Sequence, residues 1–421
     1  MKSRKWTVFA AGVFVALAVA VGWAQNEQEA NRPPNYTVID LGTLGGTFGT
    51  ADGDNDLGWA AGYADLAGNT SQHSVLWLPG LKIDLGTFGG PNSGTFSRPN
   101  ELGQVTGQAE TSLSDPLGED FCFYGTHLEC LPFLWRSGTL VPFPTLGGNN
   151  GESNAINNFG EVVGLAETDV HDPTCVAPQV LQTLPAVWKD GRVKALPTFP
   201  GDPDGYAIAI NDEGQAAGYS GNCSTNVAAH ALLWQGDKVT DLGSLGGVMN
   251  NVPEEINNRG EVVGSSDLPG DTTSHAFLWR NDEMVDLGTL PGDDSSGAYG
   301  INNRDQVVGA SCAPTNCRAF LWQDGTMTDL NALIPDDSPL YLSAAFDIND
   351  SGVIVGYAYH PSTGDYSAFL AVPVLSGGAS GDASPDAQLK LVPRPTLPDN
   401  VLKQLAQGHR GRLKAALTAP R

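Results

Sequence analysis

Residues 256–292, INNRGEVVGSSDLPGDTTSHAFLWRNDEMVDLGTLPG, break into four short apolar runs parted by turn residues. The first closes in Ile256-Asn257, the second is GEVVGSS, the third HAFLW and the fourth MVDLG. Each run is rich in β-branched or aromatic residues and bounded by Gly, Asn, Asp or Pro, the signature of a strand, and none is long enough for a helical period. The pattern recurs, loosely, seven times between residues 36 and 374. The chain therefore reads as a repeat protein of four-stranded units.

The turns repeat with the strands. Between the first two strands every copy carries an Asn: Asn55, Asn100, Asn157, Asn211, Asn257, Asn302 and Asn349. Three residues later stands a Gly in six copies (Gly58, Gly103, Gly160, Gly214, Gly260, Gly352) and Asp305 in the other. Asn bonds its own backbone and, like Gly, tolerates a left-handed conformation, so the pair predicts a tight hairpin. Asp190-Gly191 and Asp324-Gly325 give the same signal between strands three and four. A second Gly is expected to end most GxVVG strands, at Gly62, Gly107, Gly164, Gly218, Gly264, Gly309 and Gly356.

Four-stranded units of this length fit a propeller blade better than a solenoid coil. The chain opens on an orphan fourth strand, residues 36–42, and its last unit (Ile348-Asn349, 352–358, 368–372) lacks one. Joining the two completes a blade and leaves no open edge. The expected fold is all-β: a seven-bladed β-propeller of four-stranded antiparallel blades, closed by residues 36–42 pairing with the last repeat. Trp77, Trp135, Trp188, Trp234, Trp279 and Trp322 recur at the end of strand three, with Leu370 in the final copy. One Trp at a fixed repeat position reads as inter-blade core rather than as a sugar platform.

The HAFLW strand at 275–279, DLGTLPG at 286–292 and INNRGEVVG at 256–264 resemble the HAF-repeat family of extracellular repeat proteins over roughly residues 36–374. The resemblance implies export, and it brings no catalytic residue or cofactor. Copies two and three depart from it, with 140–143 (LVPF) and 195–197 (ALP) in place of the fourth-strand DLG.

The start of the chain agrees with export. Lys2, Arg4 and Lys5 precede an apolar run from Val8 to Val21 and then Gly22-Trp23-Ala24, a pattern that predicts a secretory signal cleaved near Ala24, with a polar linker over 25–35. The expected destination is secreted, periplasmic or cell-surface. The formal charge is −25, from 22 Lys plus Arg against 47 Asp plus Glu. Such a surface repels nucleic acid, whose binding depends on cations at phosphates. Six cysteines in an exported chain read as disulfides, paired Cys122–Cys130, Cys312–Cys317 and Cys175–Cys223, the last joining blades three and four; no CxxC favours a metal.

In a meander of four strands, the loop between strands two and three shares a rim with the crossover to the next blade. The long non-repeating pieces 110–131, 166–184, 220–229, 267–274, 310–317 and 358–366 gather there, which makes that rim the candidate binding face for a protein or polysaccharide ligand. On the first strands Arg98, Glu254, Glu255 and Asp347 interrupt the apolar repeat near the axis, and they are the candidate binding residues. Paired carboxylates in an axial funnel are also what a carbohydrate-active hydrolase or lyase would need, the alternative reading. No GxSxG, HExxH or P-loop occurs.

Residues 52–56, DGDND, suggest a structural calcium loop, although Leu57 and Tyr63 stand where its Gly and Glu should be. Asp202 with Asp204, or Asp293 with Asp294, could also hold a cation. His73, His230 and His275 occupy one repeat position, where Arg318 and Ser367 stand in other copies, and are expected to lie apart around the ring. Residues 375–398 form a Gly/Ser/Pro linker, and 399–421 a tail that Asp399 could cap as a helix. Basic residues outnumber acidic ones after 375, so the tail is a candidate for envelope association. The whole reads as an exported binding or structural scaffold.

Overall fold

The computed structural model describes residues 33–223 and 227–374. The expected signal segment, most of the 25–35 linker, the 375–398 linker and the 399–421 tail lie outside the described residues, as do 224–226 of one rim segment. Seven separate antiparallel sheets of four strands follow one another along the chain. In blade 1 the strands are Gly45–Asp54, Ala60–Leu66, Gln72–Leu78 and Leu81–Asp84, and blades 2 to 6 repeat this meander over 89–142, 147–195, 204–243, 251–288 and 295–329. Copies two and three form fourth strands without a DLG, at Thr139–Pro142 and Arg192–Ala195.

Blade 7 takes Tyr341–Ile348, Ile354–Tyr359 and Tyr366–Pro373 from the end of the chain and Tyr36–Gly42 from its beginning. The register runs from Tyr36 opposite Pro373 to Gly42 opposite Ala368. First strands of neighbouring blades meet around the axis. The chain is a seven-bladed β-propeller latched by its N-terminal strand. Among the described residues no helix is long and apolar enough to cross a membrane.

The repeated Gly of the second strand does not end it, as the sequence had suggested; it sits mid-strand. In six blades the first strand carries a bulge, for example between Pro253 and Glu255, beside the residue facing that Gly. The bulge presses a first-strand carbonyl into the space a side chain would fill. A Cβ on Gly62, Gly107, Gly164, Gly218, Gly264, Gly309 or Gly356 would overlap the carbonyl oxygen of Thr50, Gly94, Glu152, Tyr206, Val252, Gly297 or Ala344 respectively. Close approach, rather than strand termination, is the physical reason for this Gly.

The six tryptophans are core, each packed toward the preceding blade. Trp77 lies with Val355 and Ala368 of blade 7, Trp234 with Ala155 and Val163 of blade 3, and Trp322 with Val263 and Ala276 of blade 5. Indole N–H groups of Trp77, Trp188 and Trp234 donate to the carbonyls of Leu41, Pro144 and Pro197 before their own blades begin, at 2.7–3.1 Å. In the final copy the register places Ala371 opposite Ile354 as Trp279 stands opposite Val262, so Ala371 rather than Leu370 holds the tryptophan position.

Substituting Gly264 by Ala is expected to lower unfolding stability by at least about 2 kcal/mol, because the first strand must withdraw and lose its bulge. Urea denaturation measures this; an unchanged midpoint contradicts the close-approach argument.

Candidate functional site

The seven hairpin asparagines form a closed relay on the tight-turn rim. Each Nδ2 donates to the main-chain carbonyl of the equivalent Asn in the next blade, from Asn55 to Asn100 around to Asn349, which returns to Asn55; the bonds span 2.9–3.2 Å. The same side chains accept from their own hairpins through Oδ1, as Asn257 does from the N–H groups of Arg259 and Glu261. A second circle runs outside the first: the N–H of Asp56, Glu101, Asn158, Asp212, Asn258, Asn303 and Asp350 each donates to the side chain of the next, at 2.8–3.1 Å. None of the seven asparagines is left-handed. That conformation falls on the residue three positions later, Gly58 at φ +73° for instance, or Asp305 at +62°. The Asn is kept for its two-ended amide, not for backbone freedom.

Inside this circle lies an axial cavity of about 150 Å³ lined by the Asn hairpins, Arg98 and Glu255. Arg98 donates to Asp347 at 2.7 Å and reaches Glu255 at 3.4 Å, so one cation ties blades 2, 5 and 7 together. Asp347 also accepts from the N–H of Ile348 and of Asp54. The charged positions need small neighbours: a Cβ on Gly53 would strike the backbone at Arg98, and one on Gly300 that at Asp347. Burial works against the Arg98 cation, but Asp347 and Glu255 outweigh it and hold it protonated. Burial, with Asp347 beside it, pushes Asp54 well above the usual carboxylate range, and Asn349 donates to it. Three of the four candidate residues thus converge. Glu254 is enclosed as the extra residue of the first-strand bulge and is absent from the cavity lining.

The opposite rim holds the long segments, and it is stiffened by more than the sequence indicated. Disulfides join Cys122 to Cys130, Cys312 to Cys317, and Cys175 of blade 3 to Cys223 of blade 4. Glu119, on the blade 2 insertion, accepts from the N–H groups of Val180 and Leu181 of blade 3 at 2.6 and 2.9 Å. Asp115 accepts from Asn150, which also donates to Glu167. Glu119 and Glu167 are both fully buried, and each keeps one oxygen with no hydrogen-bond partner. Burial, and after it Glu119, pushes the Glu167 carboxyl up to about 8. Asp204 of blade 4 is likewise pushed up to about 8, by burial and by a hydrogen bond shared with Asp172 of blade 3.

Between blades 1 and 2 on this rim opens a cleft of about 430 Å³. Phe96, Phe123 and Tyr124 give it aromatic surface; Gln72, Asn92, Gln108, Asp65 and Asp120 give it polar groups; no Lys or Arg lines it. Tyr124 reaches across to Gln72, and burial keeps its hydroxyl protonated.

The remaining candidates are spoken for. Asp52 and Asp54 lie buried in the first strand of blade 1, and among the described residues no group of three or more His, Cys, Asp or Glu could hold a metal. Asp202 pairs with His230 and Asp293 with Arg318. His73 and His275 pair with Asp84 and Asp286 of their own fourth strands, at 2.8 and 2.9 Å, and Arg318 pairs also with Asp329. The eleven-residue spacing between these partners was visible in the sequence.

No protein-family profile and no curated protein matches the chain. Among solved structures it is similar to the β-propeller domain of the Trilobed protease from Pyrococcus furiosus, at 12% identity and TM-score 0.43, covering 65% of this chain and 77% of that one. It is also similar to an acylaminoacyl peptidase from Pyrococcus horikoshii, at 13% and 0.40, covering 72% of this chain but only 48% of that one. A gluconolactonase from Xanthomonas campestris gives 11% and 0.35, covering 82% and 95%. At such identities the likeness concerns the fold alone.

The buried carboxyls give the rim a pH signature. The folded chain holds the Glu167 proton up to about pH 8, whereas the unfolded chain releases it near 4.5, so this contribution is full below pH 4.5 and lost as pH rises through 8. Glu167→Gln, which stays uncharged beside Glu119 at every pH, is expected to melt several degrees above the parent at pH 8–9 and level with it at pH 4.5. Melting curves across that range check it; a variant less stable than the parent at pH 8 contradicts it.

Proposed function

We propose that the chain is an exported binding scaffold of the HAF-repeat kind, working at the cell envelope through its loop rim. The observation that carries this reading is the cleft between blades 1 and 2, which lies in a rim held rigid by disulfides and buried carboxyls. A surface already ordered before contact loses little entropy on binding. Aromatic faces beside amides, hydroxyls and carboxylates, without a cation, suit an uncharged polyhydroxylated chain, so a neutral polysaccharide is the preferred ligand over a polyanion.

The alternative, hydrolysis or lysis of a carbohydrate at the axis, is less well supported. Its two carboxylates share one Arg98, which leaves neither poised as a general acid or base. Export, removal of residues 1–24 and attachment through the basic tail belong to the same proposal. Val374, the last described residue, leaves blade 7 on the tight-turn rim, so a tail held at the envelope would turn the loop rim outward.

Affinity electrophoresis and calorimetry of the mature protein against neutral and acidic polysaccharides test this reading. Saturable binding of a neutral glycan without turnover is expected, weakened about tenfold or more by Tyr124→Ala. Glycan cleavage abolished by Glu255→Gln, or binding indifferent to Tyr124→Ala, overturns it.

A further inference from the structure

A second cleft, of about 380 Å³, opens between blades 3 and 4 on the side of the tight turns, and its origin is legible in two departures from the repeat. The residue facing the core tryptophan across the second strand is Val105, Val162, Val262 or Val307 in blades 2, 3, 5 and 6, but Ala216 opposite Trp234 in blade 4. Blade 1 also has an alanine there, Ala60, but Leu41 and Leu370 pack over Trp77 and close the gap. At blade 3 the fourth strand reads RVKA instead of a DLG-type sequence; Leu196 stands where Leu41 does and the shorter Val187 where Leu370 does, and Trp234 is buried beneath them. The floor is apolar, made by Val187, Leu196, Ala216 and Trp234.

The same departure brings cations to the mouth. Lys189, Arg192 and Lys194 line the cleft within six positions of sequence, on a chain with 22 basic residues against 47 acidic. Lys189 is matched by Glu161 at 2.5 Å, and Lys194 reaches Asp237, whose side chain is 87% exposed. Arg192 stands exposed beside them. An apolar floor of this volume under exposed guanidinium and ammonium groups is complementary to one kind of molecule, a body of hydrocarbon ending in a carboxylate.

We infer that this cleft binds a small amphipathic carboxylate, its chain against Val187, Leu196 and Ala216 and its headgroup at Arg192 and Lys194. The site is independent of the loop rim: it lies on other blades' edges, faces the other side and selects the opposite charge. A ligand held by the folded chain and not by the unfolded one also stabilises the fold in proportion to its occupancy.

The test uses the mature full-length chain with laurate and its uncharged counterpart dodecanol, read by calorimetry and by thermal shift. Laurate is expected to bind saturably and raise the melting temperature, with dodecanol at least about tenfold weaker. Ala216→Val, which restores the residue most other blades carry, is expected to fill the floor and abolish laurate binding while the unliganded protein melts no lower than the parent. Arg192→Gln with Lys194→Gln is expected to weaken laurate about tenfold and leave dodecanol unchanged. Equal binding of laurate and dodecanol, or laurate binding undiminished by Ala216→Val, overturns the inference. So does laurate binding lost with Tyr124→Ala, which would place it in the other cleft.

Discussion

Everything in this molecule hangs on a distance: the side-chain amide of each hairpin Asn must reach the main-chain carbonyl of the next one, seven times, and come back to where it began. Each bond on its own contributes about 1 kcal/mol. Closed into a circle, they fix the separation and wedge angle of adjacent blades, because a longer or shorter step at any hairpin would open the bond at Asn349 to Asn55. An Asn that also receives two N–H groups of its own turn cannot swing to compensate. The relay thus couples a local turn to the global closure that the strand at Tyr36–Gly42 completes on the outer edge.

Closure has consequences at both faces. On the tight-turn side, the first strands converge so closely that only Gly53 and Gly300 allow their charged neighbours in, and the interior charge there had to be balanced on the spot by Arg98. On the other side the interior between blades 6, 7, 1 and 2 fills with aromatic rings, Phe48, Tyr63, Phe96, Tyr299, Phe346, Tyr357 and Tyr366. An axis stopped by rings above and an ion cluster below offers little room for a substrate. The larger clefts lie instead in the gaps between blades, between blades 1 and 2 and between blades 3 and 4.

The sequence spoke clearly where a residue acts within its own blade or repeats its task seven times. Strand number, the tryptophan core, the latch and the three disulfides were all readable from spacing. It spoke poorly where the partner lies in another blade. Asn257 looks like a turn residue because its own hairpin is in view, while the carbonyl of Asn302 is a whole repeat away. Gly264 looks like a strand terminus because the bulge at Glu254 that makes it necessary is not written in any residue type. That same bulge separates Glu254 from Glu255, which adjacent numbering had placed together. The buried pair Glu119 and Glu167 was invisible for a different reason: it exists only once an insertion with no repeat to guide it folds back across the next blade.

The closed relay can be examined amide by amide through native-state hydrogen exchange of the protein. If the circle is as described, the hairpin amides at 57–59, 102–104, 159–161, 213–215, 259–261, 304–306 and 351–353 exchange together, at the rate of global unfolding, with the seam hairpins of blades 7 and 1 no faster than the rest. Early exchange confined to the hairpins on either side of that seam would mean the ring stands open where Asn349 meets Asn55, and the account would be wrong at its base.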